Sequence, residues 1–400
     1  MVTKKEIKQS FVIALWFMVL TFPIMVIKVN TIKKIVVFRW EALLWTGIGT
    51  FFASLVWNYF LRRKEEKQKS DIKDDIPTVH RLLANDRVRL PFLLAVGVFF
   101  LAYPFVFPMY HTSIMISALV YVMLGLGLNI VVGLAGLLDL GYVAFYAVGA
   151  YAYALLNLHF GISFWVVLPI AAVLGFIFGT LLGYPVLRLR GDYLAIVTLG
   201  FGEIIRIVLE NWNDFSNGPR GIPNIPPPGL FGIDLGQHAT VIYIYFIVIA
   251  LVLMTIFFVN RLENSRIGRA WIALRDDEIA CQAMGIDKFK TKLTAFALGA
   301  TWASLGGVVF AAKTSYINPM SFTIWESITI LCVVVIGGMG SAIGVIAGAL
   351  VLILLPEYLR AVAEYRMLVF GALQVVVMVF RPDGLIKSVR KTYKFEKAED

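Results

Sequence analysis

Long apolar runs without a charged residue recur along the 400-residue chain, and they limit its fold more than any other feature. A bilayer core about 30 Å thick takes about 20 apolar residues in a helix, which is close to the length of these runs. The chain is 59% hydrophobic and 16% charged, whereas soluble domains are roughly 45 to 50% apolar. We therefore predict an all-α fold, a polytopic helical bundle in the inner membrane.

The apolar runs predict about ten to twelve membrane passes. The candidate spans are 11–27, 40–61, 91–108, 114–136, 142–158, 162–187, 193–211, 240–259, 291–312, 325–337, 343–358 and 366–380. Two of them, 193–211 and 325–337, are either full spans or re-entrant segments. The first run follows three lysines and resembles a signal peptide, but it is longer than the usual apolar core and no small-residue cleavage site follows it. We interpret it as a retained helix.

The distribution of positive charge predicts the orientation. Basic residues concentrate in the stretch 62–89 and in the tail after 380, so the positive-inside rule places both stretches and both termini in the cytoplasm. When passes are counted from a cytoplasmic N-terminus, the basic turn at 28–39 lies on the outer side of the membrane, which contradicts the positive-inside rule. We expect three regions, which are an N-terminal hairpin with a basic linker (1–90), a membrane core (91–386) with a charged loop at 261–290, and a cytoplasmic tail (387–400).

A charged segment at 262–286, LENSRIGRAWIALRDDEIACQAMGI, lies between two uncharged runs and must therefore lie in water. Its apolar residues recur every three or four positions, which predicts a short amphipathic helix at the membrane surface. We expect Gly268 to begin this helix and Gly285 to end it. Such a helix is suited to docking another protein, and a solvated connecting loop is the alternative. The residues expected to make the contact are Gly268, Arg269, Arg275, Asp276, Asp277, Glu278 and Gly285.

Four blocks of the sequence stand out together. They are S-R-I-G-R-A-x-x-A-L-R-D-D-E-I-A at 265–280, a glycine-rich block at 133–151, the block 191–199 and the block 336–341. Together they resemble the branched-chain amino acid permease family of ABC importers, and within it the LivM type, the larger of two permease subunits. The similarity runs from Ile114 to Ile386. Where many importer loops read Glu-Ala-Ala, this chain reads Glu278-Ile279-Ala280.

The resemblance implies a permease subunit of an ATP-driven importer that translocates branched-chain amino acids (Leu, Ile, Val). An importer of urea, short amides or other amino acids is the alternative. The implied partners are a second permease subunit, two cytoplasmic ATPase subunits that bind ATP and Mg, a periplasmic substrate-binding protein and membrane lipid. The charged segment would be the cytoplasmic coupling helix on which an ATPase docks.

Several functions are disfavoured by the residues themselves. The chain has no Gly-Lys dipeptide and hence no phosphate-binding loop, so we expect no ATP site, no cofactor and no catalysis in this subunit. Its four histidines and two cysteines are scattered, which predicts neither a metal site nor a disulfide. The basic residues fall in a few loops and tails, a pattern that does not indicate nucleic-acid binding.

Ionisable residues within or between the apolar runs are candidates for the transport pathway or a gate. Glu203, Arg206 and Glu210 share one face of the run 193–211, where an Arg206 bridge to either glutamate is possible. A charge at a helix centre costs about 2.5 to 3.5 kcal/mol unless it is paired or solvated. These residues either line the pathway or form a structural ion pair near the outer surface. An ion-driven secondary transporter would need Glu203 for coupling, although such a carrier has no need of a docking helix.

Asp139 lies in the glycine-rich break between two runs and is either a pathway residue or a polar turn residue. Two glycine series predict helix faces that approach another backbone closely, within the chain or in the second permease. They are Gly175, Gly179 and Gly183, and Gly340, Gly344 and Gly348. The stretch 212–239, rich in glycine and proline, is expected to be an ordered outer loop with little regular structure. It is either a docking surface for the binding protein or a plain connector.

Overall fold

The computed structural model describes residues 4–22, 26–30, 35–41, 43–52, 54–55, 58, 86–189, 191–229, 236–358 and 366–387. These residues fall in two compact units, which are divided between Ile76 and Pro77. Most of the basic stretch 62–89 and the tail beyond residue 387 lie outside the described residues.

The N-terminal unit contains helices and a hairpin. Helix α1 is Lys4–Thr21, strand β1 (Ile27–Asn30) pairs antiparallel with β2 (Ile35–Phe38), and helix α2 covers Leu43–Phe52. The predicted helix over 11–27 is wrong at its end, because α1 stops at Thr21 and Ile27 begins a strand. Pro23 follows α1 in the sequence, and a proline disfavours the helical conformation of the residue before it.

Where the structure describes it, the second unit is built from α-helices, with two very short strands, β3 (Ile222–Pro223) and β4 (Tyr316–Ile317), that pair antiparallel. Its helices are α3 (Asp86–Val106), α4 (Met109–Leu128, continued by a π-helix at Asn129–Leu134), α5 (Val143–Phe160), α6 (Phe164–Val186), α7 (Asp192–Asn211), α8 (Asn213–Ser216), α9 (Gln237–Glu263), α10 (Arg266–Asp276), α11 (Glu278–Ala283), α12 (Lys288–Thr314), α13 (Ile324–Gly337), α14 (Ala342–Tyr358) and α15 (Arg366–Phe380). The prediction of an all-α fold is confirmed.

Six stretches of helix in the described residues are long and apolar enough to cross a membrane. They are Met109–Leu134, Val143–Phe160, Phe164–Val186, Gln237–Glu263, Lys288–Thr314 and Pro319–Gly337. Shorter apolar helices lie at Lys8–Thr21, Leu43–Phe52, Leu94–Val106, Ala342–Tyr358 and Gly371–Phe380. The chain is therefore a multi-pass membrane protein, with six helical stretches that are each long and apolar enough to span the bilayer. The predicted count of ten to twelve passes stays a prediction.

Helix α12 lies at the centre of the second unit, where it contacts α4, α5 and α6. In the most apolar stretches of α4 and of α12, 83% of the residues are buried within the chain, whereas in α6 the share is 33%. Protein therefore encloses α4 and α12, whereas α6 presents most of its apolar surface outward. Backbones of α5 and α12 meet at Gly307, where a Cβ would lie 2.6 Å from the backbone nitrogen of Ala150. Only glycine fits that approach.

The two glycine series pack inside the chain. A Cβ on Gly179 of α6 would lie 2.6 Å from the Cβ of Ala300 of α12, and Gly344 of α14 lies against Gly337 of α13. The prediction of three glycines on one helix face is wrong for the second series. Gly340 lies in the turn before α14 with a φ of +85°, a left-handed conformation that does not belong to a helix.

Candidate functional site

Residues 265–287 contain two short helices, α10 and α11, which we call the helix pair. Ser265 caps α10 by accepting a hydrogen bond from the N–H of Gly268 at 3.1 Å. Asp277 is extended and caps α11 through two backbone N–H groups at 2.8 and 3.0 Å. The prediction of a single helix beginning at Gly268 is therefore wrong, because Ser265 and Asp277 each supply a capping oxygen that begins a helix. Gly285, with a φ of +83°, follows α11, as expected for a glycine that ends a helix.

The buried face of the helix pair fastens it to α12. Trp271 is fully buried, and its Nε1 donates a hydrogen bond to the carbonyl of Thr291 at 2.9 Å. Glu278 forms an ion pair with Lys292 of α12, whose side chain is only 7% exposed. Asp287 caps α12, and the backbone hydrogen bond from Lys290 lowers the pKa of its carboxyl. The pair is thus held to the most enclosed region of the chain at several points.

Arg275 links the helix pair to α4. Its guanidinium donates a hydrogen bond to the carbonyl of Gly133, in the π-helix that ends α4. Its aliphatic part covers Gly136, where a Cβ would lie 2.7 Å from the Cγ of Arg275. In the same π-helix the buried Asn129 accepts a hydrogen bond from the N–H of Gly340 at 2.8 Å. The end of α4 therefore contacts both the helix pair and the turn before α14, and π-helical segments are frequent at functional sites.

The opposite face of the helix pair is exposed and partly apolar. Ile279 is 78% exposed and Met284 is 82% exposed, and Arg269, Asp276 and Asp277 of the same segment are also exposed. Exposed apolar side chains rimmed by charge are typical of a protein contact surface. The structure thus places the predicted contact residues on one segment. Several of them make contacts within the chain, such as Arg269, which donates to the carbonyl of Asn264 at 3.1 Å, while Gly285 follows the exposed end of α11.

Asp139 lies in the connection between α4 and α5 and is fully buried. Its Oδ1 accepts a hydrogen bond from the N–H of Gly141 at 2.9 Å, while its Oδ2 has no partner within the part of the chain that the structure describes. The hydroxyl of Thr198, on α7, accepts from the N–H of Leu140 at 3.0 Å. Burial raises the pKa of Asp139 to about 7. The carboxyl therefore stabilises a turn that rests on α7, and it is poised to change charge near neutral pH.

Arg206 of α7 lies between two glutamates. Its Nε donates to Glu203 Oε1 at 2.8 Å and its Nη1 to Glu210 Oε2 at 2.7 Å. The Arg206 side chain is 15% exposed, against 38% and 28% for the two glutamates. The predicted bridge is confirmed, with both partners engaged at once, and the pathway role of these residues stays a prediction.

A cavity of about 220 Å³ lies at the end of α12 remote from the helix pair. We call it the outer cavity, after the side of the membrane on which the positive-inside rule would place it. Lys313 and Glu326 line it together with Ser117, Val120, Tyr121 and Phe310. Lys313 lies 21 residues beyond Lys292 (313 − 292), which is about 30 Å along a helix. Sequence reasoning missed Lys313 and Glu326, because they lie at the ends of the apolar runs 291–312 and 325–337, where charges are ordinary. The sequence signal that could have identified them is their opposite charge at the ends of two consecutive apolar runs.

Residues 212–229 form an ordered loop beside the chain that follows Lys313. Strand β3 in this loop pairs with β4, and the hydroxyl of Tyr316 donates to the carbonyl of Arg220 at 3.0 Å. The hydroxyl of Tyr153 donates to the carbonyl of Pro226 at 2.7 Å. The loop is ordered as predicted, but it has more regular structure than predicted: it contains α8, a 3-10 helix at Gly218–Arg220 and β3, and 224–229 is irregular.

Comparison with known proteins adds independent information. Residues 110–379 match the family described as branched-chain amino acid transport system / permease component. The chain is 43% identical to the high-affinity branched-chain amino acid transport system permease protein LivM of Escherichia coli (strain K12), over 90% of this chain and 88% of that protein. It is 24% identical to the permease protein LivH of the same system and strain, over 66% of this chain and 91% of LivH. No solved structure gives a significant match.

Proposed function

The chain belongs to the branched-chain amino acid transport permease family, and from this membership we propose that it is a permease subunit of an ATP-driven importer of branched-chain amino acids. The similarity to LivM covers nearly the whole of both chains, so the proposal does not depend on a shared fragment. The observation that carries the mechanism is the contact of Arg275 with the end of α4.

The proposed complex contains a second permease, because the chain is also similar, at lower identity, to LivH. Two cytoplasmic ATPase subunits would supply the ATP and Mg site, and a periplasmic substrate-binding protein would deliver the substrate. We propose that the chain lies in the inner membrane with both termini in the cytoplasm, as the distribution of positive charge indicates. The full count of ten to twelve passes would include the shorter apolar helices and α7.

We propose that the helix pair is the coupling element on which an ATPase docks. Its exposed tip, with Ile279 and Met284, would receive the ATPase surface. Movement of that surface would pass to α4 through Arg275 and Gly133, and to α12 through the ion pair that includes Lys292. Both routes end on the two spans that have the largest buried share among the six described candidates. A shift of the helix pair would therefore act directly on the core of the bundle.

At the other end, we propose that the outer loop at 212–229 receives the binding protein. The loop is tied to the bundle by hydrogen bonds from Tyr153 and Tyr316, so it presents a fixed surface. A fixed surface lowers the entropy cost of docking. Substrate released there would be close to the outer cavity.

Cysteine cross-linking tests the docking proposal. Ile279→Cys and Met284→Cys, in a chain whose Cys281 and Cys332 are replaced by serine, should each cross-link to an ATPase subunit in the assembled complex. The control is Met320→Cys, at an exposed position (56%) beside Arg206, which should give no such product. Cross-linking to the ATPase from the control position but from neither tip position would reject the docking role of the helix pair.

A further inference from the structure

The outer cavity carries two opposite charges that do not neutralise each other. The Nζ of Lys313 donates to the carbonyl of Ser113 at 2.9 Å and to the hydroxyl of Ser117. The carboxylate of Glu326 accepts from the hydroxyl of Tyr121. Among the described residues, neither charge forms an ion pair. Each charged group is therefore held in place by neutral partners only.

Two charges without an ion-pair partner at the ends of membrane spans cost free energy unless another group pairs with them or they line a pathway. Charged groups in membrane segments pair with each other or line a pathway, because water is scarce around them. Lys313 and Glu326 are both partly buried and both line the same cavity, yet they remain apart. A ligand with one negative and one positive group would neutralise both at once.

The remaining cavity wall is part polar, at the hydroxyls of Ser117, Tyr121 and Ser321, and part apolar. Val120 and Phe310 line it beside the two charges, and Tyr146 adds a ring that packs against Phe310 with centroids 5.3 Å apart. The volume of about 220 Å³ exceeds the ~150 Å³ of an engineered cavity that holds benzene. That space suits a small molecule with two charged groups at one end and a branched aliphatic group at the other.

We infer that the outer cavity is a binding site for a free aliphatic amino acid, with Lys313 receiving the carboxylate, Glu326 receiving the ammonium group and the wall at Val120 and Phe310 receiving the side chain. The inference deepens the proposed function, on which it rests for the identity of the transported substrate. The site is beside the outer loop, because β4, which pairs with that loop, begins three residues after Lys313. It would be the first place in this subunit that the amino acid occupies after leaving the binding protein.

The test measures equilibrium binding of radiolabelled leucine to the purified complex of this chain with the second permease and the ATPases, without the binding protein. Leucine should bind saturably to the wild-type complex. Lys313→Met and Glu326→Gln should each weaken binding by about tenfold or more, because each removes a charge-assisted hydrogen bond. Lys387→Met, an exposed charge remote in sequence from the cavity, should leave leucine binding unchanged.

Two analogues separate recognition from misfolding. Isocaproate lacks the ammonium group of leucine, and isopentylamine lacks the carboxylate. Glu326→Gln should reduce the preference for leucine over isocaproate, and Lys313→Met should reduce the preference for leucine over isopentylamine. A partly misfolded preparation lowers binding of every ligand equally and leaves these ratios unchanged. Unchanged ratios in both variants, or no saturable leucine binding by the wild-type complex, would overturn the site.

The proposed function is judged separately by ATP-dependent uptake of leucine by the complete importer. Normal leucine uptake with unchanged analogue ratios would reject the site and leave the function standing. Failure of the complete importer to accumulate any branched-chain amino acid would reject the function itself.

Discussion

Replacement of Arg275 by alanine should disconnect the helix pair from α4. Arg275 donates its hydrogen bond across 142 positions of sequence to the carbonyl of Gly133, and its aliphatic part covers Gly136. A hydrogen bond from a charged donor contributes about 1.5 to 3 kcal/mol. Because Arg275 is largely exposed, water competes for the guanidinium and the lower end of that range applies. A loss of about 1.4 kcal/mol corresponds to a tenfold change in an equilibrium constant.

We therefore expect about a tenfold loss in the coupling between ATP hydrolysis and transport, with the protein still inserted and assembled. The assay compares ATP hydrolysis, with and without substrate-loaded binding protein, against leucine uptake in reconstituted complexes. Arg275→Ala should reduce the stimulation of hydrolysis and the uptake together, and Arg275→Lys should fall between it and the wild type. Combining Arg275→Ala with Asp277→Ala or Glu278→Ala should deepen the defect.

Arg266→Ala is the matched control. Arg266 is an exposed arginine on the same helix, α10. It lies more than one helical turn before Arg275, the residue that contacts α4. Its replacement removes the same charge from the helix pair without touching Gly133. Stimulation of hydrolysis that survives unchanged in the Arg275→Ala, Glu278→Ala double variant would refute the coupling role. An equal defect in Arg266→Ala would show that net charge, not the contact with α4, is what matters.

Three further predictions concern other parts of the chain. Arg206→Ala should lower thermal stability or transport more than the same change combined with glutamine at both carboxylate partners, since it leaves two partly buried carboxylates without their shared partner; a wild-type melting temperature for the single variant would contradict this. Because the pKa of Asp139 is raised from 3.8 to about 7, its contribution to stability is fully present below the lower value and is lost as pH rises from that value to the higher one. The wild type should therefore lose more stability than Asp139→Asn between about pH 5 and pH 7, and parallel losses in thermal melts would count against this. Gly307→Ala should destabilise the bundle by about 1 to 3 kcal/mol through backbone overpacking, whereas Gly200→Ala, at a position with open space, should accumulate normally; equal expression and melting of the two would disprove the close approach.

Features set by local spacing could be predicted from the sequence. The helical spans follow from apolar length, and the Arg206 bridge follows from carboxylates three and four positions away on one helix. The end at Gly285 also follows from a local rule. Ser265, which begins α10, could also have been predicted from the local sequence. A serine side chain at the start of a helix can accept a hydrogen bond from the backbone N–H three residues later and so cap the helix. The prediction instead began the helix at Gly268. In the structure Gly268 is buried against the end of α9.

Features that join distant parts of the chain could not be predicted. The contact between Arg275 and Gly133 depends on how α10 lies against the end of α4, and no local pattern fixes that placement. The outer cavity depends on the convergence of α4, α5, α12 and α13. A single sequence does not specify how these helices pack. The family blocks indicated the transport class, whereas the residues that face the cavity required the packing.

The most direct test of this account is substrate uptake by the chain with and without its proposed partners. Purified alone and reconstituted in liposomes, it should show background uptake of leucine whatever proton or sodium gradient is imposed, because one permease would supply half of a pathway. Addition of the second permease, the ATPases and the binding protein should give leucine uptake that requires ATP, with urea not accumulated. Leucine uptake by the lone chain, driven by a proton or sodium gradient, would contradict the importer and identify a secondary transporter.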